Sequence, residues 1–331
     1  MWAALFAEGN PLDDRGPLVH LRETSRKSLA LRYGQWLCWL SLEKPCSLES
    51  PPPSRVTRPT LRQWLATLDR LAPMTRLMLA EAVLRVTMAA APELDWSQET
   101  RLRAQLKAAA GRGKQTRKVG RVLSSAVLLE AGLNLAESAA TSSGGPLFSA
   151  TRMRDGAMIA LLALVPMRRR ALAGLALGSS VFVASDQILI AISSELDKMG
   201  IPWEAEVPPQ VLPILRRYID EARPFLASRG PGGLRNLWLD RKGNGLSYAS
   251  IGPQIARQTS KMTGISVPPH FFRDAAATTL ARISPQGAKL IRPVLGHRGF
   301  STAQRHYNHA QTIEAGRDYA TLIKKLKETR P

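Results

Sequence analysis

The chain has 331 residues, 46 Lys and Arg against 26 Asp and Glu, and a formal net charge of +20 at pH 7. Its 44% hydrophobic and 22% charged residues form a globular balance that excludes a disordered chain, and the length suffices for about two domains of ~150 residues each. The two cysteines, Cys38 and Cys46, exclude a disulfide framework, and their seven-residue gap is no chelating spacing for a thiolate zinc cluster.

A pI near 10.8 calls for a polyanionic partner. Nucleic acid leads, because Lys and Arg neutralise phosphates and release counterions; a ribosomal-type or membrane-surface protein is the alternative that charge alone leaves open. The opening MWAALFAEGNPLDDRG has no basic region before its short apolar stretch, so it does not read as a secretory signal. Arg, Asp or Glu interrupts each long apolar stretch, so no membrane span is expected. The expected setting is a reducing, cytoplasmic compartment, with nucleoid association when bound to DNA.

Residues 1–19 read as a loosely held arm. From Ser25 to Leu42, Leu29, Tyr33, Trp36, Leu37 and Leu40 fall on one stripe of an amphipathic helix. Three consecutive prolines then make 46–59 an extended connector. Thr60 is expected to cap a second helix bearing Leu61, Trp64, Leu65, Leu68 and Leu71. Third and fourth helices follow at Pro73–Met88 and Thr100–Ala110, so 20–112 reads as an all-helical module.

Between Arg101 and Arg121 stand eight basic residues and no acidic one: Arg101, Arg103, Lys107, Arg112, Lys114, Arg117, Lys118 and Arg121. This segment reads as a linker lying against phosphates, the alternative being a solvated charged loop. Its GRGK string is no P-loop, since the first Gly and the Ser/Thr after Lys114 are missing. Helices are expected at 116–140 and 150–164, then short strands at 180–185, 187–193 and 202–207 with ELDKMGI turning between the last two. The remainder reads as mainly helical, interrupted by a Gly-rich stretch at 229–245. The class is mainly α with a small antiparallel β-sheet.

Taken singly, the chemistry-bearing residues are unremarkable types in common contexts. Arg168-Arg169-Arg170 follows a proline at the end of an apolar helix. His270 and Arg273 stand three apart, on one face if helical. Leu295-Gly296-His297 reads equally as a helix end, and Tyr307 as an ordinary half-buried tyrosine.

Their order is more specific. The stretch HFFRDAAATTLARISPQGAKLIRPVLGHRGFSTAQRHYNHA (270–310) resembles the C-terminal signature of the tyrosine recombinases, the phage-integrase family: H-x-x-R on a helix, then L-G-H, then S-T-x-x and a tyrosine. VPMRRRALAGLALG resembles the family's G-L-R-x-x-E-L-x-x-L segment, which makes Arg168 the equivalent of its first arginine. The turn Asp197-Lys198-Met199-Gly200 falls where the family carries its hairpin lysine, and LWLDRKGNGLSYASIGPQI resembles the loop and helix before H-x-x-R. Two departures stand out: the family's acidic residue three after the first arginine is Ala171 here, and His297 to Tyr307 is ten residues where nine is commoner, so that His306 holds the nine-spaced position.

The resemblance implies a helical, SAM-like core-binding N-terminal domain (20–112), a basic linker and start of the catalytic domain (113–149), and a mixed α/β catalytic domain with a C-terminal tail helix (150–331). It implies DNA cleavage and rejoining through a 3′-phosphotyrosyl ester on Tyr307, with Arg168, Arg273, His270 and His297 around the phosphate and Lys198 protonating the leaving 5′-oxygen. No cofactor and no metal are expected, since arginine takes the metal's part. The implied partner is double-stranded DNA, bound by a homotetramer on two sites, alone or with partner recombinases or a DNA-bending protein. Integration or excision of a mobile element is the expected setting. The tail IEAGRDYATLIKKLKETRP is expected to dock on a neighbouring protomer. Two other readings stay open: a catalytically impaired DNA-binding accessory protein of the same fold, and a type IB topoisomerase-like enzyme.

Overall fold

The computed structural model describes the chain except residues 11–13, 112–119, 142, 198–199, 284–289, 291–293, 295–304 and 329–331; the side chains of 281–283 and 305–314 also lie outside the description. The chain divides into two compact units, Met1–Gln115 and Thr116–Pro331. Among the described residues no helix is long and apolar enough to cross a membrane.

The first unit is helical: α1 (Trp2–Leu5), α2 (Glu23–Glu43), α3 (Arg58–Ala66), α4 (Pro73–Ala90) and α5 (Ser97–Ala110). Helix α2 buries Leu29, Tyr33, Trp36 and Leu40, as its stripe predicts. Trp36 packs edge-on against Trp64 of α3 and stacks on Trp39.

Three details differ from the sequence reading. The N-terminal arm is tied down at Leu5 and Leu18 rather than loose there, because both are buried and Arg26 donates to the carbonyls of Val19 and Leu21 while covering the Phe6 ring. The proline connector is not simply extended: Pro45–Glu49 and Pro52–Arg55 wind into 3₁₀ turns, which the fixed φ of proline favours. Helix α3 starts one turn early, where the Thr57 hydroxyl accepts from the Thr60 N–H; Pro59 sits in the first turn, where no amide proton is needed.

The second unit is built round α7 (Gly145–Leu164), which follows α6 (Ser125–Glu137). Every residue of α7 from Met153 to Leu164 is buried, so the helix must lie at the centre of its unit. It approaches α6 through two glycines. A Cβ on Gly132 would stand 2.4 Å from the Ala160 nitrogen, and one on Gly156 would stand 2.5 Å from the Ala136 nitrogen.

After α7, Val165–Met167 leads into the short α8 (Arg169–Ala173). Strands β1 (Val181–Val183), β2 (Ile188–Ile192) and β3 (Trp203–Glu206) then form an antiparallel sheet in sequence order. Ile188, Ile190 and Ile192 alternate inward on β2, as the strand period requires. A continuous helical run follows, α9 (Leu212–Arg217), a π turn at Tyr218–Ala222 and α10 (Arg223–Ala227). It pins the Gly-rich stretch: Tyr218 donates to the Leu237 carbonyl at 2.8 Å, and Arg223 to that of Asn236.

Helices α11 (Tyr248–Thr263), α12 (Pro269–Ile283) and α13 (Arg305–Glu328) complete the unit. Helix α13 buries Ala315, Tyr319, Ala320 and Ile323 in its own unit, and Arg317 pairs with Glu206 of β3 at 2.6 Å. The architecture is thus mainly α with a three-stranded antiparallel sheet, as expected.

The α6–α7 approach yields a prediction. An alanine in a helix interior is worth about 1 kcal/mol over glycine, but a new methyl at 156 would meet two backbone atoms and the Ala136 Cβ, which is fixed to its backbone, and none of these can yield cheaply. Gly156→Ala is expected to destabilise the second unit by about 1–3 kcal/mol, the usual cost of overpacking. Urea denaturation of the full chain checks this, and an unchanged or raised midpoint for that unit would refute it.

Candidate active site

Pro166 stops the α7 register, and Arg168 follows in extended conformation as the N-cap of α8. That places the Arg168 side chain at the mouth of a small cavity whose walls come from four elements. Met167 and Ala171 form one side, Ile192 and Trp203 of the β2–β3 hairpin another, and Arg273 of α12 and Val294 close it.

The two guanidiniums arrive from positions 105 apart in sequence. Arg273 donates from Nη1 to the Pro166 carbonyl at 2.9 Å, so the same proline that ends α7 holds the second arginine in place. Burial, and then the neighbouring Arg168 charge, push the Arg273 guanidinium down to about 10, with Asp197 and Asp274 acting in the opposite direction. It stays protonated at neutral pH. Two cations are therefore held side by side in a partly desolvated pocket, an arrangement that favours an anion between them.

One carboxylate already reaches this pocket. Asp197, on the turn after β2, pairs with Arg168, and both side chains are mostly buried. Asp197 also accepts the Ile201 N–H at 3.4 Å, which closes the turn. Ala171 offers Arg168 no carboxylate from within α8, and the one it has comes from the hairpin. Sequence reading named this turn for Lys198 and gave Asp197 no role; the signal available was an acid beside the expected lysine.

Of the other expected catalytic residues, His270 lies one turn before Arg273 at the exposed start of α12, its ring edge-on to Phe271 at 4.6 Å. It is not among the residues lining the cavity. Lys198 and His297 lie outside the described residues. Tyr307 falls in the first turn of α13, and its side chain lies outside the description.

Helix α13 itself is firmly anchored. The buried Tyr319 hydroxyl donates to the Ala163 carbonyl at 2.9 Å and accepts from the Ser125 hydroxyl, and the Ser125 N–H donates to Thr279 of α12. Burial raises the Tyr319 hydroxyl far above its ordinary range, with the Ser125 contact opposing. Tyr33 and Tyr218 are buried too, so among tyrosines with described side chains only Tyr248 is exposed.

The basic residues of 101–121 divide. Arg101, Arg103 and Lys107 are exposed on α5 around buried Leu102, with Arg103 and Lys107 one turn apart on one side and Arg101 on the other. Arg121 is spent inside the second unit, donating to the Ser266 carbonyl at 3.0 Å and covering Phe271. Arg112, Lys114, Arg117 and Lys118 lie outside the described residues.

No protein-family model matches the sequence, and no curated protein matches it either. Among solved structures the chain is similar to the XerH site-specific recombinase bound to its difH substrate in a pre-cleavage complex. There the identity is 16%, the match covers 77% of this chain and 68% of that one, and the TM-score is 0.51. It is also similar to XerH in a post-cleavage complex with palindromic difH (14% identity, 76% and 75% covered, TM-score 0.42) and to the XerA recombinase (15%, 95% and 96%, 0.38). Convergence of Arg168 and Arg273 beside a β-hairpin thus occurs on a chain that has the tyrosine-recombinase fold.

Proposed function

We propose that this chain is a site-specific DNA recombinase that breaks and reseals duplex DNA by transesterification. The observation that carries the reading is the pair Arg168 and Arg273, brought from separate elements into one pocket on this fold. A phosphodiester undergoing substitution spreads negative charge over its non-bridging oxygens, and two forked guanidiniums match that charge.

In the proposed reaction the Tyr307 oxygen attacks the scissile phosphorus. The P–O5′ bond breaks, leaving a 3′-phosphotyrosyl ester and a 5′-hydroxyl. His270 and His297 assist the phosphate and the tyrosine proton, and Lys198 delivers a proton to the departing 5′-oxygen. The ester conserves the energy of the broken bond, so a second 5′-hydroxyl can reseal the strand by the reverse step without a cofactor. Strand exchange by this route needs four protomers on two duplexes. The exposed Arg103 and Lys107 of α5, with the basic stretch to Lys118, would add sequence-independent phosphate contacts. Integration or excision of a mobile element is the setting we assign to it.

The geometry adds one requirement: a phosphate seated between the arginines competes with Asp197 for Arg168. Removing that competitor should favour DNA, so Asp197→Asn is expected to tighten binding and speed covalent capture several-fold. Weaker capture with unimpaired folding would mean that Asp197 positions Arg168 rather than competing for it. Arg273→Ala is expected to slow capture by about 10²–10³, the range for losing one oxyanion donor.

Covalent trapping tests the whole reading. The protein is incubated with supercoiled DNA carrying the region that flanks its own coding sequence, quenched with SDS, and digested for peptide mapping by mass spectrometry. A 3′-linked nucleotide on Tyr307, absent in Tyr307→Phe, is the expected outcome. An adduct on Tyr248 would move the nucleophile, and salt-sensitive DNA binding without any adduct would favour an accessory DNA-binding protein.

A further inference from the structure

Three consecutive arginines open α8, and the structure sends them to different surroundings. Arg168 turns to the cavity and Arg170 is exposed. Arg169 lies against α11, its guanidinium carbon 3.9 Å from the centre of the Tyr248 ring. Gly252, one turn further along α11, makes room for it: a Cβ there would stand 2.9 Å from Arg169 Nη1 and 3.2 Å from its Cδ. The side chain is thus held between an aromatic face and a helix backbone.

What it does with its hydrogen-bond donors is the telling feature. Arg154, Arg168, Arg223 and Arg273 each donate to a protein oxygen. Among the described residues Arg169 has the ring contact and no hydrogen bond or ion pair. Stacking uses the guanidinium face and leaves its N–H edge for an acceptor. Tyr248 is 52% exposed, so the pair sits at the surface rather than in the core. Nor does a carboxylate compete nearby in sequence: from Arg241 through Gly264 there are two Arg, two Lys and no Asp or Glu.

We propose that Arg169, braced by Tyr248 and Gly252, is a preformed phosphodiester-binding residue that grips the DNA backbone beside the phosphate taken by Arg168 and Arg273. This rests on the DNA-binding part of the function proposed above. Adjacent residues at the start of one short helix fix the spacing of the two contacts. The brace removes the freedom an arginine otherwise loses on binding, so the residue meets a phosphate already oriented.

The test uses the full chain, a 30-bp duplex of the flanking region and a duplex of unrelated sequence, with affinity measured across a salt series. Arg169→Gln is expected to weaken both duplexes alike, about 5- to 10-fold at fixed salt, and to make the plot of log K against log[salt] shallower by about one unit. Gly252→Ala and Tyr248→Leu, which keep the charge and disturb the brace, should weaken binding with the slope nearly unchanged. Thermal melting separates these effects from misfolding. An unchanged slope in a folded Arg169→Gln protein overturns the proposal, and so does a loss confined to one duplex, which would mean base readout. If the wild-type chain forms no covalent DNA adduct on any tyrosine yet Arg169→Gln still flattens the slope, the recombinase reading falls and the phosphate contact stands. If the adduct forms and the slope is unmoved, the reverse holds.

Discussion

The second unit depends on one constraint, the burial of α7 on all sides. A helix apolar round its whole circumference has no stable place except the centre, and other elements must cover each of its faces. Burying each large apolar side chain is worth about 1.5–3 kcal/mol, and the six that α7 buries here (Met153, Met158, Ile159, Leu161, Leu162 and Leu164) outweigh any local preference of the surrounding loops. The helix then ends at the pocket. Val165 and Pro166 break its register, Arg168 leaves in extended conformation, and the Pro166 carbonyl freed by that break accepts from Arg273. The site is thus built on the end of a helix buried along its last twelve residues.

A buried ion pair interrupts that apolar helix and shows what orients its neighbour. Arg154 and Asp155 pair at 2.6 Å and are almost wholly inaccessible. Leu239 supplies a carbonyl to Arg154, while Gln254 and Gln258 of α11 donate to Asp155. A buried pair of this kind adds little net stability, since its desolvation offsets its attraction, but breaking it strands a charge. Its use here is registration. The two glutamines sit one turn apart on α11, so the pair fixes both rotation and height of that helix, and with them Tyr248 and Gly252.

Much of this was legible in the residues. The stripe through Leu29, Tyr33, Trp36 and Leu40 specifies α2 because a 3.6-residue period leaves no other way to bury those side chains together. The three strands fall within two residues of expectation. Other features could not be read locally. Thr60 reads as the cap of α3, but Thr57 takes that place, and Thr60 instead gives its N–H to the Thr57 hydroxyl. The N-terminal arm is mixed and Gly/Pro-containing and so reads as loose, yet Leu5 and Leu18 find a core supplied by distant helices. The tail's amphipathic face needed a partner, and the sequence could not say that β3 and α6 would provide it in the same unit.

The arginines show the same limit most sharply. RRR is a basic run to the eye, yet Arg168 precedes α8 in extended conformation, while Arg169 and Arg170 stand on the helix about 100° apart. One residue therefore joins a charged pocket, the next stacks on an aromatic ring, and the third faces solvent. What separates Arg168 from Arg169 is the company each meets: a carboxylate delivered by a hairpin 29 residues on, and a glycine 83 residues on that lets a side chain lie flat. Both encounters depend on long-range packing against α7. Ala171 is informative in the same way, because it leaves Arg168 without a carboxylate from its own helix and hands that contact to Asp197. The charge balance of the pocket is then governed by the hairpin, which brings Asp197 to an arginine held at the end of the buried helix.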